Sequence, residues 1–270
     1  MKDPSDFLQF ALDLAKEAGR TQLRYFGNIS SVIKKSSNID LVTNADIKSE
    51  EIIISRIKEK YPDHSIITEE SNNTLESSEY TWIVDPLDGT TNFTHNLPIF
   101  AVSIALKKSN EIICGVVYNP AADKCFYAEK GKGAFLNGET ISPTNSEFLS
   151  DSLLATGFPY LHDEKYDLSF IIFKDFYDRT RGLRRLGAAA LDLCFVAMGR
   201  FDGFYEYNLN SWDICAGSLI AHEAGCIVSD WDGNDLPHDG SRILCSNNKI
   251  HSEMVKLLTK SEYSLFFSQS

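Results

Sequence analysis

Apolar positions recur in two rhythms along the chain. Phe7, Phe10, Ala11, Leu14, Ala15 and Ala18 fall on one face of a 3.6-residue repeat and predict an amphipathic helix, with Pro4 suited to its first turn. A second helix is expected after Asn44, through Ile47, Ile54 and Ile57, stopping at Tyr61-Pro62. Between Phe100 and Ala128 the rhythm shortens, and Val102–Leu106, Ile112–Tyr118 and Lys124–Ala128 read as strands. After Phe148 strands and helices alternate again. Strands are expected at Leu153–Thr156, Gly182–Arg185, Gly203–Glu206, Cys226–Ser229 and Ile243–Cys245, and helices at Asp163–Tyr177, Ala188–Met198, Asp213–Ala224 and Lys249–Leu258. The pattern supports an α/β or mixed α+β fold with a mixed sheet. There is no repeat and no long linker. The weakest seam, Ser142–Ser150, divides 1–270 into halves of about 1–145 and 146–270 that the motifs below join into one functional domain.

Composition narrows the function classes. A hydrophobic fraction of 43% and a charged fraction of 24% are those of an ordinary globular chain long enough to bury a large core. The net charge of -12 argues against nucleic acid, whose phosphates call for basic patches. The stretch from Phe7 to Phe26 is broken by Asp13, Lys16, Glu17, Arg20 and Arg24, so neither a signal-peptide core nor a membrane span is expected there. The six cysteines form no Cys-x-x-Cys pair and sit among apolar neighbours, which reads as small core residues in a reducing compartment, the cytoplasm.

Chemistry concentrates at three places. The apolar run Thr81–Val84 reads as a buried strand ending in Asp85-Pro86-Leu87-Asp88-Gly89-Thr90-Thr91-Asn92-Phe93, so that Asp85 and Asp88 leave the strand end in a stiff loop and point at one spot. Two carboxylates held that close repel unless a cation lies between them or one is protonated. Oxygen ligands without His or Cys suit Mg²⁺ or Mn²⁺ rather than Zn²⁺. Upstream, the strand Ser65–Thr68 runs into Glu69-Glu70-Ser71. Downstream, Asp213 stands in the first turn of a helix opened by Asn210-Ser211-Trp212. Taken singly, Glu69 is a solvated loop acid and Asp213 a helix-start residue. Two tempting features fall away: His222-Glu223 lacks a second His four residues on, and Lys130-Gly131-Lys132-Gly133 is better read as a hairpin turn than as a phosphate loop.

Together, Glu69-Glu70-Ser71, Asp85-Pro86-Leu87-Asp88-Gly89-Thr90-Thr91-Asn92-Phe93 and Trp212-Asp213-Ile214-Cys215-Ala216-Gly217 resemble the inositol monophosphatase family of metal-dependent, lithium-sensitive sugar phosphatases, with weaker likeness from about Phe7 to Leu258. The resemblance implies a layered α-β-α-β-α sandwich and hydrolysis of a small phosphate monoester by activated water. It implies two or three Mg²⁺ per site, with Mn²⁺ as a substitute. Glu69, Asp85 and the Leu87 carbonyl would bind one cation, and Asp85, Asp88 and Asp213 a second. Glu69 and Thr90 would orient the attacking water, with Thr90 passing its hydroxyl proton toward Glu69. Asp46 would orient Thr90, and Lys35 would lie near a third metal site. Backbone amides of Gly89 and Thr90 would hold phosphate. A cytoplasmic homodimer with no membrane or nucleic-acid partner is also implied.

Substrate choice falls to the second half. Gly187-Ala188-Ala189-Ala190 opens a helix whose first amides face the substrate or simply pack closely. Glu206 matches the acid that accepts inositol hydroxyls in the family, alongside substrate contacts from Asp88, Gly187, Ala188, Ala189 and Asp213. Thr68 replaces the family's usual glycine before Glu69, and Ala188 stands where animal relatives carry a hydroxyl; both alter the rim and neither removes a metal ligand. Inositol 1-phosphate is thus the expected substrate. The alternatives are fructose 1,6-bisphosphate, histidinol phosphate, a 3′-phosphoadenosine nucleotide, or a regulatory binding protein that keeps the fold.

Overall fold

Trp82 and Val84 pack on one side of a strand and Ile83 on the other, and this alternation organises the whole chain into layers. The computed structural model describes residues 5–28, 32–34, 41–71, 78–159, 163–238 and 240–267. Its first half contains α1 (Asp6–Tyr25), β1 (Val32–Lys34), β2 (Leu41–Thr43), α2 (Asn44–Lys60), β3 (Ser65–Thr68), β4 (Tyr80–Asp88), α3 (Thr90–Thr94), β5 (Ala101–Lys108), β6 (Glu111–Asn119), β7 (Lys124–Glu129), β8 (Ala134–Leu136) and β9 (Glu139–Thr140). The second half adds β10 (Leu153–Thr156), α4 (Glu164–Tyr177), β11 (Gly182–Arg184), α5 (Ala189–Ala197), β12 (Gly203–Tyr207), α6 (Ser211–Ala224), β13 (Ile227–Ser229), β14 (Arg242–Ser246) and α7 (His251–Leu258).

Strands β3 to β9 form a seven-stranded sheet in chain order, parallel only between β3 and β4. A five-stranded mixed sheet has the order β11-β10-β12-β14-β13, and β1 and β2 pair as a separate antiparallel ribbon. On the outer face of the large sheet, Leu8 and Leu14 of α1 and Ile53 and Ile57 of α2 meet Trp82, Val102, Ile104 and Val116. Between the sheets lie α5 and α6, where Leu193, Ile214, Ala216 and Ile220 join Ile83, Ala105 and Phe126 from one sheet to Phe204 and Cys245 from the other. On the far side, Ile172 and Phe176 of α4 and Met254 and Leu258 of α7 cover Leu154, Tyr205 and Leu244. The result is an α-β-α-β-α sandwich. Burial of this apolar surface, at roughly 25 cal/mol per Å², is its main stabilisation.

The two halves touch closely. A Cβ on Gly115 of β6 would fall 2.9 Å from the Ala216 carbonyl oxygen, so α6 can lie against the large sheet only because that position has no side chain. α1 is capped by Ser5, whose Oγ accepts the Leu8 amide at 3.2 Å, while Pro4 lies outside the described residues. Gly131 and Gly133 sit in the turn between β7 and β8, as expected, and their amides donate to the Glu223 carboxylate at 2.8 and 2.9 Å. All six cysteines are buried and free. Among the described residues no helix is long and apolar enough to cross a membrane.

Candidate active site

The strand carrying the central motif does not stop where the apolar run stops. β4 continues through Asp85 to Asp88, correcting the expectation that both acids leave the strand in a loop. Pairing with β5 runs to Asp85↔Ser103, shifts, and resumes at Asp88↔Ala101, so three steps on β4 face two on β5. That extra residue is a β-bulge, which re-aims side chains and tolerates Pro86, a residue with no amide to give the ladder. The Pro86 carbonyl instead accepts Gln22 Nε2 at 2.7 Å, and Asp85 Oδ1 accepts the Leu87 amide at 2.8 Å. Gly89 follows with φ of 91°, where a Cβ would press on the Ile99 carbonyl at 2.8 Å. α3 then begins, and Asn92 Nδ2 donates at 2.8 Å to both Ile99 and Leu186 carbonyls, tying this turn to the second half. Glu69 arrives beside it because β3 runs parallel to β4, with Thr68 opposite Val84 one residue earlier.

The second half brings its acids on α6 and β12. Asp213 is the third residue of α6, and its Oδ2 accepts the Asn210 amide at 2.6 Å, a carboxylate satisfying a helix N-terminus. Glu206, on β12, lies against Gly157, where a Cβ would fall 2.1 Å from Glu206 Oε1. Ala188 precedes α5 and has no side chain to cap it. Asp88 does so from across the molecule, its Oδ2 accepting the Ala190 amide at 2.9 Å. The α5 amide at Ala190 is thus directed at Asp88.

Glu69, Asp85, Leu87, Asp88, Gly89, Thr90, Gly187, Ala188, Ala189, Glu206 and Asp213 all line one cavity of about 310 Å³. Asp46 stands behind its wall. The Thr90 hydroxyl donates to Asp46 Oδ1 at 3.0 Å and also lies 3.1 Å from the Leu87 carbonyl oxygen. Asp46 Oδ2 in turn accepts the Thr43 amide at 2.8 Å. Lys35 lies outside the described residues. Six wall residues carry no functional signal in the sequence: Gly157, Phe158, Pro159, Arg185, Asn208 and Leu209. The turn-prone Gly157-Phe158-Pro159 directly after β10 was the one available hint. Asp192 was also missed, although an acid inside the apolar run of α5 stands out; it is 1% exposed, and its Oδ1 has no hydrogen-bond partner among the described residues.

Charge is crowded here. Burial first, then the charges of Glu69, Asp88 and Asp213, pushes the Asp85 carboxyl well above the ordinary range. Asp88 is pushed up to about 8 by burial and then Asp213, against the stabilising Ala190 amide. Glu206 reaches about 8 through burial and Asp213, opposed by Arg185, the single cation among the described lining residues. Asp46 rises to about 6, chiefly by burial. Among the described residues no three acidic, His or Cys side chains already form a finished ligand set. The donors nevertheless fit a hard cation: Asp85 and Asp88 are buried, Glu69 and Asp213 half-buried, and the set is mutually repelling and oxygen-only, with no His or Cys among the described lining residues.

Known proteins resemble this chain over nearly its whole length. The model of the inositol monophosphatase family matches residues 3–263. A putative Nus factor SuhB of Neisseria meningitidis is 43% identical over 255 residues, covering 94% of this chain and 98% of that protein. An inositol-1-monophosphatase of Mesorhizobium japonicum is 39% identical over 258 residues, covering 95% and 97%. The solved structure of a Thermotoga maritima IMPase superposes with a TM-score of 0.86 at 36% identity, covering 94% of this chain and 96% of that one.

Proposed function

The chain belongs to the inositol monophosphatase family of metal-dependent phosphatases, and from that premise we propose that it hydrolyses inositol 1-phosphate or a similar polyol phosphate with Mg²⁺ as its cation. The observation that carries this reading is the convergence of Glu69, Asp85, Asp88 and Asp213, from both halves, on one cavity that also holds Glu206. In this reading Glu69, Asp85 and the Leu87 carbonyl hold one cation, and Asp85, Asp88 and Asp213 another; Mn²⁺ has the same preferences. When bound, the cations supply Lewis acidity toward the phosphate and the attacking water.

The chain's own residues do the positioning that phosphoryl transfer requires. Asp46, not Glu69 as expected, takes the Thr90 hydroxyl proton in a hydrogen bond, which leaves the Thr90 lone pairs for the attacking water, while Glu69 on the cavity wall is the acceptor for that water's proton. Gly89 and Thr90 offer phosphate the amides at the start of α3. Gly187, Ala188 and Ala189 shape the rim with minimal side chains. Glu206 accepts polyol hydroxyls. The two halves act as one catalytic domain, for which a cytoplasmic homodimer is the assembly the family suggests.

A second reading, a regulatory binding protein keeping this fold, is favoured by the likeness to a relative named a putative Nus factor. Asp88→Asn separates the two. Its amide oxygen still accepts from Ala190, so the fold persists, while the lost charge weakens cation binding. Phosphatase activity should require Mg²⁺ or Mn²⁺, vanish in EDTA and fall by orders of magnitude in Asp88→Asn. Full turnover of that variant in metal-free buffer sinks the mechanism. Li⁺, similar in size to Mg²⁺ with half its charge, should inhibit; turnover unchanged by Li⁺ moves the substrate away from inositol phosphates.

A further inference from the structure

The one positive charge on the catalytic cavity's described wall is not consumed by an ion pair. Arg185 stands just past β11, which ends at Arg184, and Gly187 follows with φ of 78°. A Cβ at Gly187 would stand 2.9 Å from Arg185 Nη1, so the guanidinium lies over a residue with no side chain. Gly187 is itself part of the cavity wall, which sets the charged end of Arg185, and not its backbone alone, at the cavity. The side chain is exposed, and among the described residues its guanidinium makes no hydrogen bond and no ion pair. Its neighbours in charge are nevertheless acids. Burial and Asp213 push the Glu206 carboxyl up and Arg185 opposes them; burial and Glu206 push Asp192 up, and Arg185 again opposes. The field of Arg185 thus reaches two carboxyls while its N–H groups bond neither. Those donors stay hydrated and open to a ligand.

An acceptor and a donor on one wall suit a group that is both. A hydroxyl donates to a carboxylate and accepts from a guanidinium. A fully ionised second phosphate only accepts, and Glu206 repels it. Charge balance points the same way. In the phosphatase reading two divalent cations offset Glu69, Asp85, Asp88 and Asp213, and the remaining charges on the described wall, Glu206 and Arg185, cancel. No surplus of positive charge is left to attract a second anion. Resting on that reading, we propose that Arg185 is a specificity-determining residue: it donates to a hydroxyl oxygen of the leaving group beside the hydroxyl that donates to Glu206, so that the cavity selects a neutral polyol.

Calorimetric titration of the Mg²⁺-loaded full chain with two phosphonates, whose C–P bonds resist hydrolysis, tests this. One carries an inositol ring and the other a cyclohexyl ring, similar in shape without the hydroxyls. Wild type should prefer the inositol phosphonate. Arg185→Gln should weaken that ligand roughly tenfold and the cyclohexyl phosphonate far less. Because Arg185 is exposed, the variant should melt with the wild type, so a loss of affinity is not a loss of fold. Equal losses on both ligands would make Arg185 a general attractor of phosphate, and unchanged affinities a solvated surface residue. A larger loss on an inositol bisphosphate than on the inositol phosphonate would assign it to a second anion. Each of these outcomes overturns the proposal, as does a wild type with no preference for the hydroxylated ring. Turnover of inositol 1-phosphate is measured separately: its absence sinks the phosphatase reading, while the phosphonate comparison still decides Arg185.

Discussion

Glu206 owes its place to a missing methyl group. Because Gly157 has no Cβ, the Glu206 carboxyl can lie where any larger residue would collide with it at 2.1 Å. The test of its role is a ratio. With cations bound, which favour the ionised carboxylate, Glu206→Gln keeps the shape and loses the charge, so a charge-assisted contact to a polyol hydroxyl should weaken by roughly tenfold to a hundredfold. Hydrolysis of inositol 1-phosphate should therefore fall far more than that of a nitrophenyl ester, which has no ring hydroxyls to hold; equal losses on both would make Glu206 a structural residue. At this scale the sequence was legible where chemistry is written in a continuous stretch, as in Asp85 to Phe93. Gly157 and Arg185 were not, because their effect runs through space: one by leaving room for Glu206, the other by opposing the rise of the Glu206 and Asp192 carboxyls.

Elements were legible when their rhythm was long. α1, α2 and the strands β5, β6 and β7 emerge near the expected bounds, because each buries a full face against another layer. The short β1, β2 and β9 were not expected, as two or three residues carry little periodicity, whereas β8 emerges as the second arm of the hairpin around Gly131 and Gly133. The bulge that carries β4 on to Asp88 was hidden by Pro86, which reads as a strand end and here marks an irregular ladder. Such close fits have a testable weakness at Gly115, where α6 rests on β6. Gly115→Ala should destabilise by about 1–3 kcal/mol through overpacking. Because α6 also carries Asp213, residual activity per folded molecule should fall as well. Denaturant midpoint and Mg²⁺ titration of activity measure the two effects, and an unchanged midpoint would show that the interface yields freely.

At the scale of the molecule, buried acidity sets how stability depends on pH and metal. Folded Asp88 and Glu206 stand near 8, above the ordinary carboxyl values of 3.8 and 4.5. A carboxyl shifted up adds stability that is complete below its unfolded pKa and is lost as pH rises through its folded pKa. His251 works in the opposite direction. Buried between the Ser229 and Ser246 hydroxyls at 2.9 Å each, it is lowered from 6.5 to about 4, so its contribution is lost only as pH falls below 6.5. Between pH 6.5 and 8, the carboxyls dominate. In EDTA the Tm should fall across that window, and Mg²⁺ should raise it more at pH 8 than at 6.5; a flat or rising profile in EDTA would contradict this account. The bond from the Ala190 amide to Asp88 has a further consequence, for how such a protein diversifies. It is made to the main chain, so whatever side chains stand at 187–190, the second half still docks on the acid of the first. Mutation can redraw the rim around incoming polyols while the inorganic chemistry stays anchored, and a lineage built on this plan can change its diet without rebuilding its hearth.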